Sequence, residues 1–351
     1  MGAARGRKQE IPKKVNTMKA HGRYGWRSMA LFCLGCAAFQ ALAQPQQHPR
    51  LANGYPSKPI RIIVSSAPGG GQDLTTRPVA QKLSERLGAS VVVDNRGGGS
   101  GVIAMDITRQ AAPDGYTLLV GATTMILTSV SGRVSYDVRT AYEPVVQMTN
   151  QPYFLVVHPS VPVTTPASFV DYAKGQRGKL SYGTSGQGSL HFFGMEQFSA
   201  QVGIRMVHVP YKGSGPALID LLSGQIQLMF TSTVSAVPQL RSGKLKAVAF
   251  TGGRRTPIAP QVATLTETVA PGFQLQNMYS LFAPARTPKP VLALINREVA
   301  DIVNAGEVRD KFAADGAEPA PPVSVDEFRR AYRREVEKWE QVVRKSKTAL
   351  Q

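Results

Sequence analysis

Two stretches combine glycine, hydroxyl side chains and an adjoining helix start: Ser65-Ser-Ala-Pro-Gly-Gly-Gly-Gln-Asp73 and Tyr182-Gly-Thr-Ser-Gly-Gln-Gly-Ser-Leu-His191. Each lies between a strand-like run and a helix-like run, so each brings small residues and free backbone N–H groups to a helix N-terminus. Unpaired amides and partial positive charge there favour an anion. Glycine lets the backbone approach a ligand closely. Neither loop contains Lys or Arg, so an anion would be held by neutral donors, which suits a carboxylate better than a polyphosphate. Asp73 points the same way, because a fixed carboxylate repels phosphate, although a helix-capping role is equally open to it. His191, one residue into the second helix, is placed to touch such an anion. For either loop alone, a plain tight connection is the alternative; two of them on opposite lobes favour binding. The loops Gly121-Ala-Thr-Thr124 and Thr231-Ser-Thr233 end other strand runs with hydroxyls that could complete a polar pocket. Asn95-Arg-Gly-Gly-Gly-Ser-Gly101 reads as a flexible turn rather than a site.

Catalytic motifs do not assemble. Gly183-Thr-Ser185-Gly-Gln187 lacks the last glycine of a nucleophile elbow. Gly186-Gln-Gly188 puts His191 where a dinucleotide fingerprint needs its third glycine, and no Gly-Lys-Ser/Thr sequence forms a P-loop. His158, His191 and His208 share no metal-ligand spacing; His158 and His208 fall on strand runs, as core imidazoles do. Both cysteines, Cys33 and Cys36, precede residue 44, so the rest of the chain can build neither a disulfide scaffold nor a thiolate metal site. The expectation is a non-enzyme with no catalytic residue, no cofactor and no metal.

These loops need a scaffold, and the chain supplies one. It has 351 residues, 42% hydrophobic and 18% charged, which excludes disorder for its bulk. Eight bases and one acid fall in the first 43 residues, leaving 33 bases against 22 acids in the other 308, enough for two domains. Arg23 to Arg27, an apolar run from Met29 to Phe39 and Ala41-Leu-Ala43 form the basic, apolar and small-residue parts of an export signal. It is too short for a permanent membrane anchor. Residues 1–43 are therefore read as a signal peptide cleaved after Ala43, and 44–54 as a linker. Leu34-Gly35-Cys36, a partial lipobox, is the competing reading. The remaining basic surplus of +11 is scattered. Its one cluster, Arg329 to Arg334, is interleaved with Glu327, Glu335 and Glu337 beside Phe328, Tyr332, Val336, Trp339 and Val343 at helical spacing. That is an amphipathic helix with a solvated face, capped by Ser324 and Glu327, and it predicts no nucleic-acid partner.

Strand runs at Ile60–Val64, Val91–Val93, Thr117–Val120, Phe154–Val157, Leu180–Tyr182, Met206–Val209, Ile226–Phe230, Lys246–Phe250 and Tyr279–Phe282 alternate with helical patterns, the sign of an α/β fold. Thr165-Pro166 and Thr287-Pro288 each read as an N-cap followed by proline at the first helical position. Leu74, Val79, Leu83 and Leu87 predict one buried helix face, with Pro78 requiring either a start near Thr76 or a kink. Pro144–Pro152 and Phe273–Pro284 read as two crossings between domains. They give a first lobe of residues 55–152 plus 280–351, a second of 153–279, a two-crossing hinge and a cleft at the strand ends.

Within this frame the chain resembles the substrate-binding receptors of tripartite tricarboxylate transporters, the Bug family. The matching stretches include Tyr55-Pro-Ser-Lys-Pro-Ile-Arg61, Pro68–Asp73, Ala112-Pro-Asp-Gly-Tyr-Thr-Leu-Leu119, Val156-Val-His-Pro159, Lys179–Gly183, His208-Val-Pro-Tyr-Lys-Gly213, Ala217–Leu222, Gly243–Ala247 and Phe282-Ala-Pro284, in family order. The resemblance implies a two-lobed periplasmic binding protein fold of the second type, delivering a small organic carboxylate or amino acid to membrane permease subunits. It carries a carboxylate-holding role onto Ser66, Gly69, Gly70 and Asp73 in the first loop and Ser185, Gly188 and Ser189 in the second. With the loop readings above, the ligand-binding set is Ser66, Gly69, Gly70, Gly71, Asp73, Thr124, Ser185, Gly186, Gly188, Ser189, His191 and Thr231. This chain departs from the family at Ser65-Ser66, where Pro-Phe is common, and at Thr231, where Asp is common. A periplasmic monomer is expected. The rivals are a receptor signalling to a membrane sensor and an exported serine hydrolase using Ser185 or Ser66 with His191.

Overall fold

β-Branched runs such as Ile60-Arg-Ile-Ile-Val64 form strands because their side chains pack well on a pleated, buried surface. The intervening amphipathic runs form helices that cover the sheet. The computed structural model describes residues 48–345, so the expected signal segment and the start of the linker lie outside the described residues. In chain order the elements are β1 (Ile60–Val64), α1 (Gly71–Leu87), β2 (Val91–Asn95), a 3-10 turn (Gly99–Gly101), α2 (Val102–Arg109), β3 (Thr117–Gly121), α3 (Thr123–Val130), α4 (Val138–Ala141) and β4 (Tyr142–Val157). There follow α5 (Pro166–Gly175), β5 (Ser181–Thr184), α6 (Leu190–Val202), β6 (Val207–Pro210), α7 (Ser214–Leu222), β7 (Leu228–Ser232), α8 (Thr233–Arg241) and β8 (Lys246–Phe250). The last are β9 (Gln276–Pro284), α9 (Lys289–Asn304), α10 (Gly306–Ala314), β10 (Glu318–Pro319) and α11 (Val325–Lys345).

The strand order is β2-β1-β3-β9-β4-β7-β5-β6, with β10 and β8 also paired to β4. β1 runs parallel to β2 and β3, and β5 runs parallel to β6 and β7. Between these parallel groups lie two antiparallel strands. β4 pairs with β9 from Tyr142 to Pro152, then with β7 from Tyr153 to Val157, so one continuous strand belongs to both halves of a two-lobed α/β fold. Separate cores flank it. Ile62, Leu118, Leu281 and Ile295 belong to one on the first half, and Leu155, Phe198, Phe230 and Phe273 to one on the second. Helix α11 reaches both halves: Phe328, Tyr332 and Val336 are buried against Phe282, while Trp339 and Val343 pack on the second-half core. The Arg329–Glu143 and Arg139–Glu340 ion pairs, at 2.8 and 2.9 Å, tie it down.

Three sequence expectations need correction. Helix α1 begins at Gly71 and includes Pro78, and its Leu74 is exposed rather than buried. Helix α9 is capped one residue later than expected, by Pro288, because the Thr287 hydroxyl donates to the Pro284 carbonyl instead. The run at Phe154–Val157 is only the end of a sixteen-residue strand, whose pairing with β9 shifts register after Pro144 and again after Gln147. The capping boxes at Thr165–Ser168 and Ser324–Glu327 form. Among the described residues no helix is long and apolar enough to cross a membrane, and no His, Asp and Glu group could hold a metal ion.

Candidate functional site

The strand-to-helix connections of both halves open onto one small cavity with about 30 Å³ open to the centres of water molecules. Five helices present their N-termini to it. Gln72 is the second residue of α1, Gly101 the residue before α2, Thr124 the second of α3, His191 the second of α6 and Ser214 the first of α7, and all five line the cavity. The rest of the wall is Ser65, Ser66, Ser100, Ala122, Ser185, Gly213, Asn277 and Tyr279, with no Asp, Glu, Lys or Arg. The positive ends of the helix dipoles are therefore the fixed charges facing the cavity, and they favour an anion. Strand β9 supplies Asn277 and Tyr279 by its two-residue period, while Gln276 and Met278 line a separate groove on its other side.

The polar side chains are held in defined states. Ser65 Oγ is bonded to Gln72 and to the Val120 carbonyl, whereas Ser66 Oγ is buried and has no hydrogen-bond partner. Asn277 Oδ1 accepts from the Thr123 amide at 3.0 Å, and Thr124 Oγ1 accepts from the Leu190 amide at 3.2 Å, joining the first half to the second. Ser185 Oγ lies 2.8 Å from His191 Nδ1, and the Tyr153 ring packs 4.9 Å from the imidazole. Burial pushes the His191 pKa down to about 4, so its ring is neutral at pH 7. The Asp73 carboxyl is raised by burial but held below the ordinary carboxylate range by Arg77, the Gly69 amide and Asn95 together.

Around the cavity the two halves meet along a seam of glycines. A Cβ on Gly70 would come within 2.6 Å of Ser214 Oγ, and one on Gly97 or Gly213 within 2.7 Å of the Ala67 amide. A Cβ on Gly215 would overlap the Pro68 carbonyl oxygen. The Ala67 amide donates across the seam to the Lys212 carbonyl at 3.3 Å. At the far rim Ser100 and Arg133 both donate to the Gln187 carbonyl oxygen, Ser100 at 2.6 Å.

The structure brings Ser66, Thr124, Ser185 and His191 into the cavity wall. Gly69, Gly70, Gly71 and Asp73 sit behind it. The Gly69 amide donates to Asp73 Oδ2 at 3.0 Å, Gly70 and Gly71 pack against Ser214 and Ser232, and Asp73 pairs with Arg77. Gly186, Gly188 and Ser189 shape the second loop: the Gly186 amide is on Thr184 Oγ1, Gly188 adjoins the Arg133 guanidinium, and Ser189 caps α6. Thr231 is buried within β7 opposite Phe154, outside the cavity lining. The sequence reading of Asn95–Gly101 as a flexible turn is overturned. Ser100 and Gly101 line the cavity, and Ser100 holds a left-handed φ of 54° that its bond to Gln187 stabilises. Gln72, Ser214, Asn277 and Tyr279 also escaped the sequence reading. Gly213-Ser214-Gly215 carried the same glycine-and-hydroxyl signature as the two loops that were singled out. His158 and His208 lie elsewhere, bonded to Ser160 and Thr184.

Comparison with known proteins agrees with this architecture. Residues 75–347 match the family described as the tripartite tricarboxylate transporter family receptor. Protein BugT of Bordetella pertussis is 32% identical over 305 residues, which cover 86% of this chain and 93% of that protein. The structure of MatC from Rhodopseudomonas palustris with bound malate aligns with a TM-score of 0.78 at 30% identity, covering 82% of this chain and 100% of that one. That of R. palustris Rpa4515 with adipate aligns with a TM-score of 0.77 at 31% identity, covering 83% and 97%.

Proposed function

The chain belongs to the tripartite tricarboxylate transporter family of receptors, and from that premise we propose that it is a periplasmic receptor that captures a small organic carboxylate in the cavity between its halves. The observation that carries this reading is the convergence of five helix N-termini on a cavity without charged side chains. Such a site stabilises a carboxylate through oriented dipoles and hydroxyls and gives a cation no counter-charge. Ser66, Thr124, Ser185 and His191 meet the ligand, and the glycines at 69–71, 186 and 188 allow the two loops to close around it. Residues 55–152 with 280–351 form one lobe and 153–279 the other. The ladder of β4 and β9 is the hinge, and the loaded form passes its solute to membrane permease subunits. The protein is exported with its signal cleaved near Ala43, acts as a monomer, and catalyses no reaction.

A thermal-shift screen of the chain from Gln44 against mono-, di- and tricarboxylates tests this. A carboxylate at 100 times its dissociation constant should stabilise by about 2.7 kcal/mol. A screen in which no carboxylate moves the melt, followed by calorimetry without heat, would overturn the reading. One contact favours a second reading: Ser185 and His191 are within hydrogen-bond distance, as in a hydrolase. A base with a pKa near 4 removes a hydroxyl proton poorly at pH 7, however, and no carboxylate is hydrogen-bonded to His191 among the described residues. Labelling of Ser185 by a serine-directed phosphonate would revive that alternative.

A further inference from the structure

We infer that the ligand is a hydroxy acid, selected by Ser66 through a neutral hydroxyl on the acid, and that the site makes no provision for an ammonium group. This rests on the carboxylate-receptor reading and sharpens it.

Ser66 is an unspent and buried hydrogen-bonding group of the wall. Only 7% of the residue is exposed, it lines the cavity, and its hydroxyl has no partner. The hydroxyl of Ser65 next to it is fully engaged by Gln72 and the Val120 carbonyl, so the two serines are not equivalent. A buried hydroxyl without a partner is unfavourable, and a ligand that supplies one recovers that loss on binding. A serine hydroxyl both donates and accepts, so it matches a ligand hydroxyl in either sense.

The ammonium of an amino acid meets the opposite situation. Nothing in the wall is a carboxylate. Asp73, the acid on the first loop, is committed to the Gly69 amide and the Arg77 guanidinium. Every helix end facing the cavity is a positive end. A site built to hydrogen-bond one group rejects analogues that lack it, and rejects more strongly those that bring an unpaired charge.

Titration calorimetry on the chain from Gln44 with two matched trios decides the point: L-lactate, propionate and L-alanine, and L-malate, succinate and L-aspartate. In whichever skeleton binds, the hydroxy acid should bind at least about tenfold more tightly than either analogue. Ser66→Ala should remove about fivefold or more of the preference for hydroxyl over hydrogen, read as the ratio of the two affinities in the variant against wild type. An amino acid that binds as well as its hydroxy analogue overturns the inference, and so does a preference unchanged in Ser66→Ala. The wild-type comparison stands by itself should that variant fail to fold. If none of the six binds while another carboxylate does, the inference fails and the receptor reading survives. If no carboxylate of any kind binds, the receptor reading fails as well.

Discussion

His191 is buried and neutral at the start of a helix, and that state has a measurable cost. Its folded-state pKa is about 4 against an ordinary 6.5, so the unfolded chain takes up a proton over that interval while the folded chain does not. Stability is therefore whole above pH 6.5 and is lost as the pH falls towards 4, by on the order of 3 kcal/mol in all. His191→Gln keeps a polar group for Ser185 and removes the titration. Urea midpoints at pH 7 and 4.5 should show the variant losing about 2 to 3 kcal/mol less than wild type, and equal losses would mean that His191 is not held neutral. Asp73 shares the direction, because its depressed carboxyl stabilises the fold above the ordinary carboxylate range and ceases to do so in stronger acid. At this scale the sequence was read unevenly. The glycines and hydroxyls of residues 65–73 and 182–191 were legible because they cluster densely in two loops, each between a strand run and a helix start. Asn277 and Tyr279 were not legible, because on a strand only the finished sheet says which alternate residues face a cavity.

The glycine seam is an element-scale device, made where the loop before α1 meets the start of α7. Gly215 lies inside α7, where alanine would favour the helix by about 0.5–1 kcal/mol. Its Cβ would also overlap the Pro68 carbonyl across the seam. That overlap is with a backbone atom and outweighs the helix gain, so Gly215→Ala should lower the melting temperature and weaken ligand binding by at least about tenfold. Calorimetry with equally tight binding would show that the two halves do not need this seam to close. Strands were readable from their β-rich runs, helix α5 from an N-cap followed by proline, and helix α11 from its periodicity and capping box. Helix α1 was harder, because Pro78 masks a helix that the Gly70–Gly71 start and the Asp73–Arg77 pair hold together.

For the whole molecule, two lobes on a paired-strand hinge should close on their solute. Small-angle scattering should record a smaller radius of gyration with saturating ligand, and none of that contraction in Gly215→Ala. Wild-type protein whose radius stays constant on loading would contradict the hinge. The basic surplus is spread over the surface while the cavity wall carries no charged side chain, so long-range attraction should speed encounter without holding the complex. Stopped-flow rates should show association slowing as salt rises and dissociation nearly constant; a dissociation rate that climbs with salt would mean that an ion pair holds the ligand. The two-crossing topology was readable from the order of runs and their prolines, but the continuity of β4 through both halves was not, since its pairing depends on residues more than a hundred positions away. Helix α11 adds an optical property to this design. The sequence contains two tryptophans, Trp26 and Trp339, and a chain beginning at Gln44 keeps only Trp339. That indole leans on the second-half core and donates to Glu335 at 2.8 Å, beside the groove behind β9. A chain so processed would carry its single tryptophan beside this groove, and the indole emission, excited selectively over tyrosine, can report the working of the hinge without any label.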